Sequence, residues 1–322
     1  MHSWIVAIGW AATLSSCGSA PAAQRPWAAD SRRAPKSKPA PAATTGPTVR
    51  VPGAVFSVEG GGEAPPAELL RLQAWIEHAG RWIADYYGGR FPVPNLDITI
   101  VWDTEPGVGF GQHWNGQWLK IWVGRGTTDT EFDDDWVLVH EMLHACFPDL
   151  DEKHRWMQEG LSTYLEPIVR VRAKNMTETT MWAKWVERMP LGRPRSGDRG
   201  LDQTHTWART YWGGALFWLM VDVELRRRTH NRATLRQALQ GIVAKGGTGR
   251  VDWSTAKVVE LGDAATKTTV FSDLYGSMAE APGDVELDPL WTDLGVVQKP
   301  GGRVELDDTA PLAYVRRGIT RD

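Results

Sequence analysis

The stretch Val139-His140-Glu141-Met142-Leu143-His144 decides how the rest of the chain is interpreted. Residues four apart lie on one face of a helix, so both imidazoles can reach a single ion while Glu141 stands beside it. Two histidines and an acid at this spacing suit one Zn²⁺, with Glu141 as the general base. The alternative is a helix with two surface histidines. The acidic run Asp133-Asp134-Asp135 and Pro148 favour a helix here, because they suit its beginning and its end.

A second motif, Trp156-Met157-Gln158-Glu159-Gly160, is followed by Thr163, Tyr164 and Glu166. It resembles the second zinc-binding helix of the gluzincin peptidases, which carries W-x-x-E-G and then small residues, a tyrosine and often another acid. This resemblance implies that Glu159 is the third zinc ligand and that Gly160 lets the two helices pack closely. The intervening loop is short and resembles that of compact peptidase-MA-like members.

The third ligand has two competitors on ligand type and spacing, His154 and Asp151. A metzincin would need a glycine and a further histidine soon after His144, whereas the sequence continues Ala145-Cys146-Phe147. Glu159 is therefore the preferred third ligand.

A third segment, Thr210-Tyr211-Trp212-Gly213-Gly214-Ala215, leads into an apolar stretch with a basic end. It is similar to the Y-x-x-G-A helix of M61-type and M1-type peptidases, and the similarity extends with gaps over roughly residues 95 to 300. The resemblance implies that the hydroxyl of Tyr211 points at the carbonyl oxygen under attack; a packed core tyrosine is the alternative. Thr163, one turn after Glu159, is predicted to orient His140 or His144.

Periodicity predicts an α+β fold. Apolar residues at helical spacing from Leu69 to Tyr86 precede a partly alternating strand from Leu96 to Trp102, and Asn115-Gly116 predicts a hairpin turn. Further helices are predicted at 133–147, 155–172, 177–189, 207–228, 234–244 and 270–279. The resemblance implies a thermolysin-like zincin, with a small N-terminal mixed sheet, a mainly helical C-terminal part and the active site between them.

The N-terminus has the composition of an export signal. Residues 1–17 contain a short apolar run that ends at Leu14-Ser15-Ser16-Cys17, which resembles the bacterial lipobox and implies a lipid on Cys17. A plain signal peptide cleaved near Ala20 to Ala23 is the alternative. Residues 18–48 are rich in alanine and proline and predict a disordered tether. The folded part then divides into an α+β part (49–131), a helical zinc-binding part (132–300) and a C-terminal tail or edge strand (301–322).

Charge composition excludes one class of partner. Lys and Arg (36) nearly balance Asp and Glu (39), so the chain lacks the basic excess of a nucleic-acid-binding protein. The predicted partner is a peptide or protein substrate. The only predicted membrane contact is the lipid anchor, and the protein is expected to be a monomer at the bacterial cell envelope.

The predicted function is zinc-dependent hydrolysis of peptide bonds. In M1 enzymes an acid in an edge strand binds the substrate's amino terminus, and residues 107–112 (GVGFGQ) contain no acid. The prediction is therefore an endopeptidase. A lipoprotein that keeps this fold for binding, and a zinc hydrolase acting on a non-peptide amide, are the alternatives.

Overall fold

The computed structural model describes residues 46–321, in which a mixed β-sheet precedes a mainly helical region. The sheet has the strand order β1-β2-β3-β5-β4, with parallel pairing of β2 to β3 and of β3 to β5 and antiparallel pairing at both edges. Its strands are β1 (Thr48–Val51), β2 (Ala54–Glu59), β3 (Asn95–Asp103), β4 (Val108–Trp114) and β5 (Trp118–Gly124). A small mixed sheet near the N-terminus is what the sequence predicts.

The described part of the chain contains eleven α-helices. They are α1 (Pro66–Tyr86), α2 (Asp129–Asp134), α3 (Val137–His144), α4 (Arg155–Arg172), α5 (Glu178–Arg188), α6 (Gly214–Thr229), α7 (Leu235–Ala244), α8 (Thr255–Thr266), α9 (Val270–Leu274), α10 (Leu287–Leu294) and α11 (Ala313–Arg321). Two π-helical segments, Arg209–Gly213 and Tyr275–Ala279, precede α6 and follow α9. The predicted helices at 155–172, 177–189 and 234–244 are confirmed to within a residue, whereas α8, α10 and α11 were not predicted.

Helix α1 covers one face of the sheet because its apolar residues repeat at helical spacing. Leu72, Ile76 and Ile83 are fully buried. A Cβ atom at Gly80 would lie 2.6 Å from the ring of Phe56 in β2, so glycine is needed for this close contact between helix and sheet.

The hairpin between β4 and β5 forms as Asn115-Gly116 predicts. Asn115 has φ 49° and Gly116 has φ 55°, the positive values that a type I′ turn requires. The pairing of Trp114 with Trp118 sets the register, and β4 becomes an edge strand of the sheet.

The beginning of α3 differs from the prediction. Asp133 and Asp134 end the short helix α2, and the histidine-bearing helix starts only at Val137. Asp135 instead accepts hydrogen bonds from the main-chain N–H groups of Val137 and Leu138. The acidic run therefore belongs to two helices, because Asp135 follows the end of α2 and its carboxylate accepts from N–H groups at the start of α3 that have no partner within that helix.

Gly160 allows a close helix contact, but with a different partner from the one expected. A Cβ atom there would lie 2.4 Å from Cα of Gly214, so α4 crosses α6 at these two glycines. The contact places the start of α6, and the π-helical segment before it, beside α4.

The chain ends differ in what can be described. Cys17, the signal segment and nearly all of the predicted tether lie outside residues 46–321; β1 begins at Thr48, the last residue assigned to that tether. The C-terminal segment, predicted as a tail or edge strand, forms strand β7 (Arg303–Leu306), paired with β6 (Val296–Lys299), and then helix α11. Within the described range, no helix is both long and apolar enough to span a bilayer.

Candidate metal centre

Three side chains from α3 and α4 converge at one point. Nε2 of His140 lies 3.1 Å from Oε2 of Glu159, and Nε2 of His144 lies 3.4 Å from the same oxygen. All three residues are buried. The structure thus brings together the three predicted ligands, two from one helix face and one from the neighbouring helix.

The donor set fits a metal ion. The ligand atoms of His140, His144 and Glu159 lie within 4.8 Å of one another. Neither ring nitrogen of His144 has a partner in hydrogen-bonding geometry among the described residues, although both are buried. Buried polar atoms without partners are costly, and a coordinated ion would satisfy one of them.

The charges in this cluster favour an ionised carboxylate. Burial opposes ionisation of Glu159, but its electrostatic interactions with His144 and then His140, the two imidazoles that its Oε2 faces, outweigh burial and hold the Glu159 pKa well below its usual value. Burial and then the charge of His113 lower the pKa of His144 to about 4, so its imidazole is neutral at pH 7. For His140, burial lowers the pKa, but the contact with Glu159 outweighs burial and raises it.

Glu141 is buried beside the three ligands and contacts His113. Its Oε2 lies 3.1 Å from Nδ1 of His113, whose ring stacks on that of His144 at a centroid distance of 3.7 Å. Strand β4 passes so close that a Cβ atom at Gly111 would lie 2.5 Å from Cγ of Glu141. Burial opposes ionisation, but the hydrogen bond from His113 and the imidazole charges lower the pKa of Glu141. Glu141 is therefore a carboxylate at neutral pH.

His113 is a residue of this site that the sequence analysis did not identify, because its position in the chain has no metal-ligand spacing to the other residues. Its position follows from the period of two along β4: Gly111 and His113 lie on one strand face, and Gly111 faces Glu141. His113, Glu141 and His144 form a second group with metal-binding geometry. His113 is partly exposed, whereas His140, His144 and Glu159 are all buried. The group of His140, His144 and Glu159 is therefore the stronger candidate for the metal site.

The competing third ligands do not reach the centre. Nδ1 of His154 lies 2.8 Å from Oδ1 of Asp202, and Asp151 is exposed. Among the described residues, neither His154 nor Asp151 belongs to a group with metal-binding geometry.

Tyr211 lies at the edge of the cluster, in the π-helical segment before α6. Its ring stacks near that of His140, at a centroid distance of 6.2 Å, and near that of Trp207, at 5.9 Å. Burial, then the charge of Glu159, raises the pKa of Tyr211, so its hydroxyl keeps its proton. A protonated hydroxyl is the form that can donate a hydrogen bond to a substrate oxygen.

Thr163 does not take its predicted place. Its hydroxyl donates to the main-chain carbonyl of Glu159, at 2.7 Å, within the same helix. The hydroxyl makes this local hydrogen bond in α4 and not the predicted contact with His140 or His144. The reason is that a threonine in a helix readily donates to the carbonyl of the residue one turn earlier.

The fold is similar to that of solved peptidases. An aminopeptidase N family protein from Idiomarina loihiensis aligns over 79% of this chain and 49% of its own length, with a TM-score of 0.58 and 14% identity. An M1 zinc metallopeptidase from Deinococcus radiodurans aligns over 74% and 52%, with a TM-score of 0.43 and 17% identity. The chain spans about half the length of these structures, and similarity at this identity concerns the fold. No protein-family model and no curated protein matches the sequence.

Proposed function

We propose that the chain is a zinc-dependent peptidase whose metal is held by His140, His144 and Glu159. The observation that carries the proposal is the convergence of three buried ligand atoms within 4.8 Å of one another, with Glu141 beside them. A zinc ion held there would supply a Lewis acid for a water molecule and for the substrate carbonyl.

The side chains around the centre have separate roles in this proposal. Glu141, ionised at neutral pH, accepts a proton from the attacking water and passes it to the leaving amine. The hydroxyl of Tyr211 donates a hydrogen bond to the carbonyl oxygen of the substrate as negative charge develops on that oxygen. His113 holds the Glu141 carboxylate at 3.1 Å and so fixes its orientation.

The proposed substrate is an extended peptide, cut internally. Strand β4 is a sheet edge that runs beside Glu141, so a peptide can pair with its main chain. Its sequence, VGFGQHW, offers no acid for a substrate amino terminus. Endopeptidase activity is therefore proposed in preference to removal of N-terminal residues.

The proposed location is the bacterial cell envelope, with a monomeric protein anchored by a lipid on Cys17. The lipobox-like stretch Leu14-Ser15-Ser16-Cys17 is the support for this part of the proposal. Mass spectrometry of the mature N-terminus, compared with a Cys17→Ser variant, tests it: an unacylated N-terminus downstream of Cys17 would contradict it.

Metal analysis and cleavage of an unstructured protein test the activity, with Glu141→Gln as the decisive variant. We expect one zinc per chain in both proteins and a loss of about a hundredfold to ten-thousandfold in rate for Glu141→Gln, because only the general base is removed. Mass spectrometry of the products distinguishes internal cuts from N-terminal trimming. A wild type that holds zinc but cleaves no peptide would favour a binding role or a non-peptide amide substrate.

A further inference from the structure

We propose that Arg155 is a positioning residue that restricts Glu159 to one metal-binding oxygen. The inference rests on the proposed zinc site. Arg155 is the first residue of α4, one turn before Glu159, and its guanidinium lies beside the carboxylate.

The two oxygens of Glu159 have different partners. Nε and Nη2 of Arg155 both donate to Oε1, at 3.2 and 3.1 Å. Oε2 is the oxygen that faces the imidazoles, at 3.1 Å from His140 and 3.4 Å from His144. Arg155 therefore hydrogen-bonds Oε1, the oxygen that does not face the histidines, and only Oε2 is directed at the metal position.

This division matters for the coordination number. Three protein ligand atoms leave a fourth position for water or substrate in a tetrahedral zinc site. If Glu159 bound the ion through both oxygens, it would occupy a further position. Binding through both oxygens would require Oε1 to turn towards the ion. The two donors of Arg155 oppose this, because the planar guanidinium holds the carboxylate in one orientation.

The alternative is an ordinary ion pair between residues four apart on a helix, which contributes little. Two features distinguish this pair from such a surface contact. The side chain of Glu159 is only 6% exposed while that of Arg155 is 46% exposed, and both guanidinium donors converge on the single oxygen that faces away from the histidines. Arg81 and Glu77 in α1 form a matched pair at the same spacing, with both side chains exposed and far from the centre in sequence.

Replacement of zinc by Co²⁺ in the full chain tests the inference, because four-coordinate Co²⁺ absorbs visible light more strongly than five-coordinate Co²⁺. We expect the wild type to give the intense four-coordinate spectrum and Arg155→Met to give the weaker five-coordinate one. Activity of the zinc form should fall about tenfold to a hundredfold in kcat, with a smaller change in KM.

Two variants control the experiment. Arg155→Lys, which keeps a cationic donor, should restore part of the four-coordinate spectrum, and Arg81→Met should leave both spectrum and activity unchanged. An unaltered Co²⁺ spectrum in Arg155→Met would overturn the inference while leaving the zinc peptidase proposal intact. A wild type that binds neither zinc nor Co²⁺ would instead overturn the proposed function itself.

Discussion

Two histidine–carboxylate clusters lie at the beginning of α4, and they differ in how completely their polar atoms are hydrogen-bonded. Asp202 accepts from Trp156 and Tyr275, at 2.8 and 2.5 Å, and lies 2.8 Å from Nδ1 of His154. In the other cluster one oxygen of Glu159 faces two imidazoles, and the ring nitrogens of His144 have no hydrogen-bond partner in the described part of the chain. The Asp202 cluster is satisfied by the fold alone, whereas the Glu159 cluster is suited to a further ligand.

Removal of one histidine from each cluster should give the largest contrast. His144→Ala should weaken zinc binding by more than about a hundredfold and abolish hydrolysis, because a direct ligand contributes more than an outer partner does. His154→Ala should keep zinc binding and activity but lose on the order of 1–3 kcal/mol in the free energy of unfolding, since the partly buried Asp202 loses a partner. Zinc titration and denaturant unfolding measure the two effects. Unchanged zinc affinity in His144→Ala would remove the distinction between the clusters.

The two tyrosines offer the next contrast, since each interacts with one of the carboxylates. Tyr211→Phe should lower kcat by about a hundredfold or more with zinc affinity unchanged, because the hydroxyl acts on the developing oxyanion. Tyr275→Phe should leave kcat unchanged and lower stability, since it removes a hydrogen bond to Asp202. Steady-state kinetics on one peptide separates them. Equal kcat in wild type and Tyr211→Phe would make Tyr211 a core tyrosine, the alternative that its sequence allowed.

The contrast also explains how far the sequence could be interpreted. His140 and His144 are linked by helical periodicity within four residues, so local spacing predicts their shared face. Glu159 was identified through the resemblance of its motif to a known helix, and the structure places it with the two histidines. The start of α3 was misplaced because a run of three aspartates gives no sign of which one is used as the cap.

His113 could not be found in this way, because its contact with Glu141 depends on how a strand 28 residues earlier passes over α3. Strand pairing and packing fix that distance, and neither follows from spacing along the chain. The same reason explains why Asp202 was missed as the partner of His154, 48 residues away. Long-range packing, not local pattern, decided both contacts.

The pH dependence of folding stability gives the smallest expected effect, and it compares the carboxylates of Asp202 and Glu159 directly. Burial opposes ionisation of Asp202, but hydrogen bonds from His154, Tyr275 and Trp156 outweigh it and lower its pKa below 3.8. A lowered folded-state pKa stabilises the fold above the unfolded value, near pH 4, and this contribution is lost as the pH falls through the folded-state pKa. In metal-free protein, Asp202→Asn should therefore be less stable than wild type at pH 7 by on the order of 1–3 kcal/mol, with a smaller difference near pH 3.

In metal-free protein, the difference in stability between Glu159→Gln and wild type should also become smaller as the pH falls, because the pKa of Glu159 is lowered too. Zinc then separates the two variants. A ligand that binds only the folded state stabilises that state. Added zinc should therefore raise the unfolding midpoints of wild type and Asp202→Asn by the same amount, and it should raise that of Glu159→Gln much less. Denaturant unfolding at pH 7 with and without zinc measures this. Equal stabilisation of all three proteins would mean that Glu159 is a structural carboxylate like Asp202 and that the metal, if bound, uses other ligands.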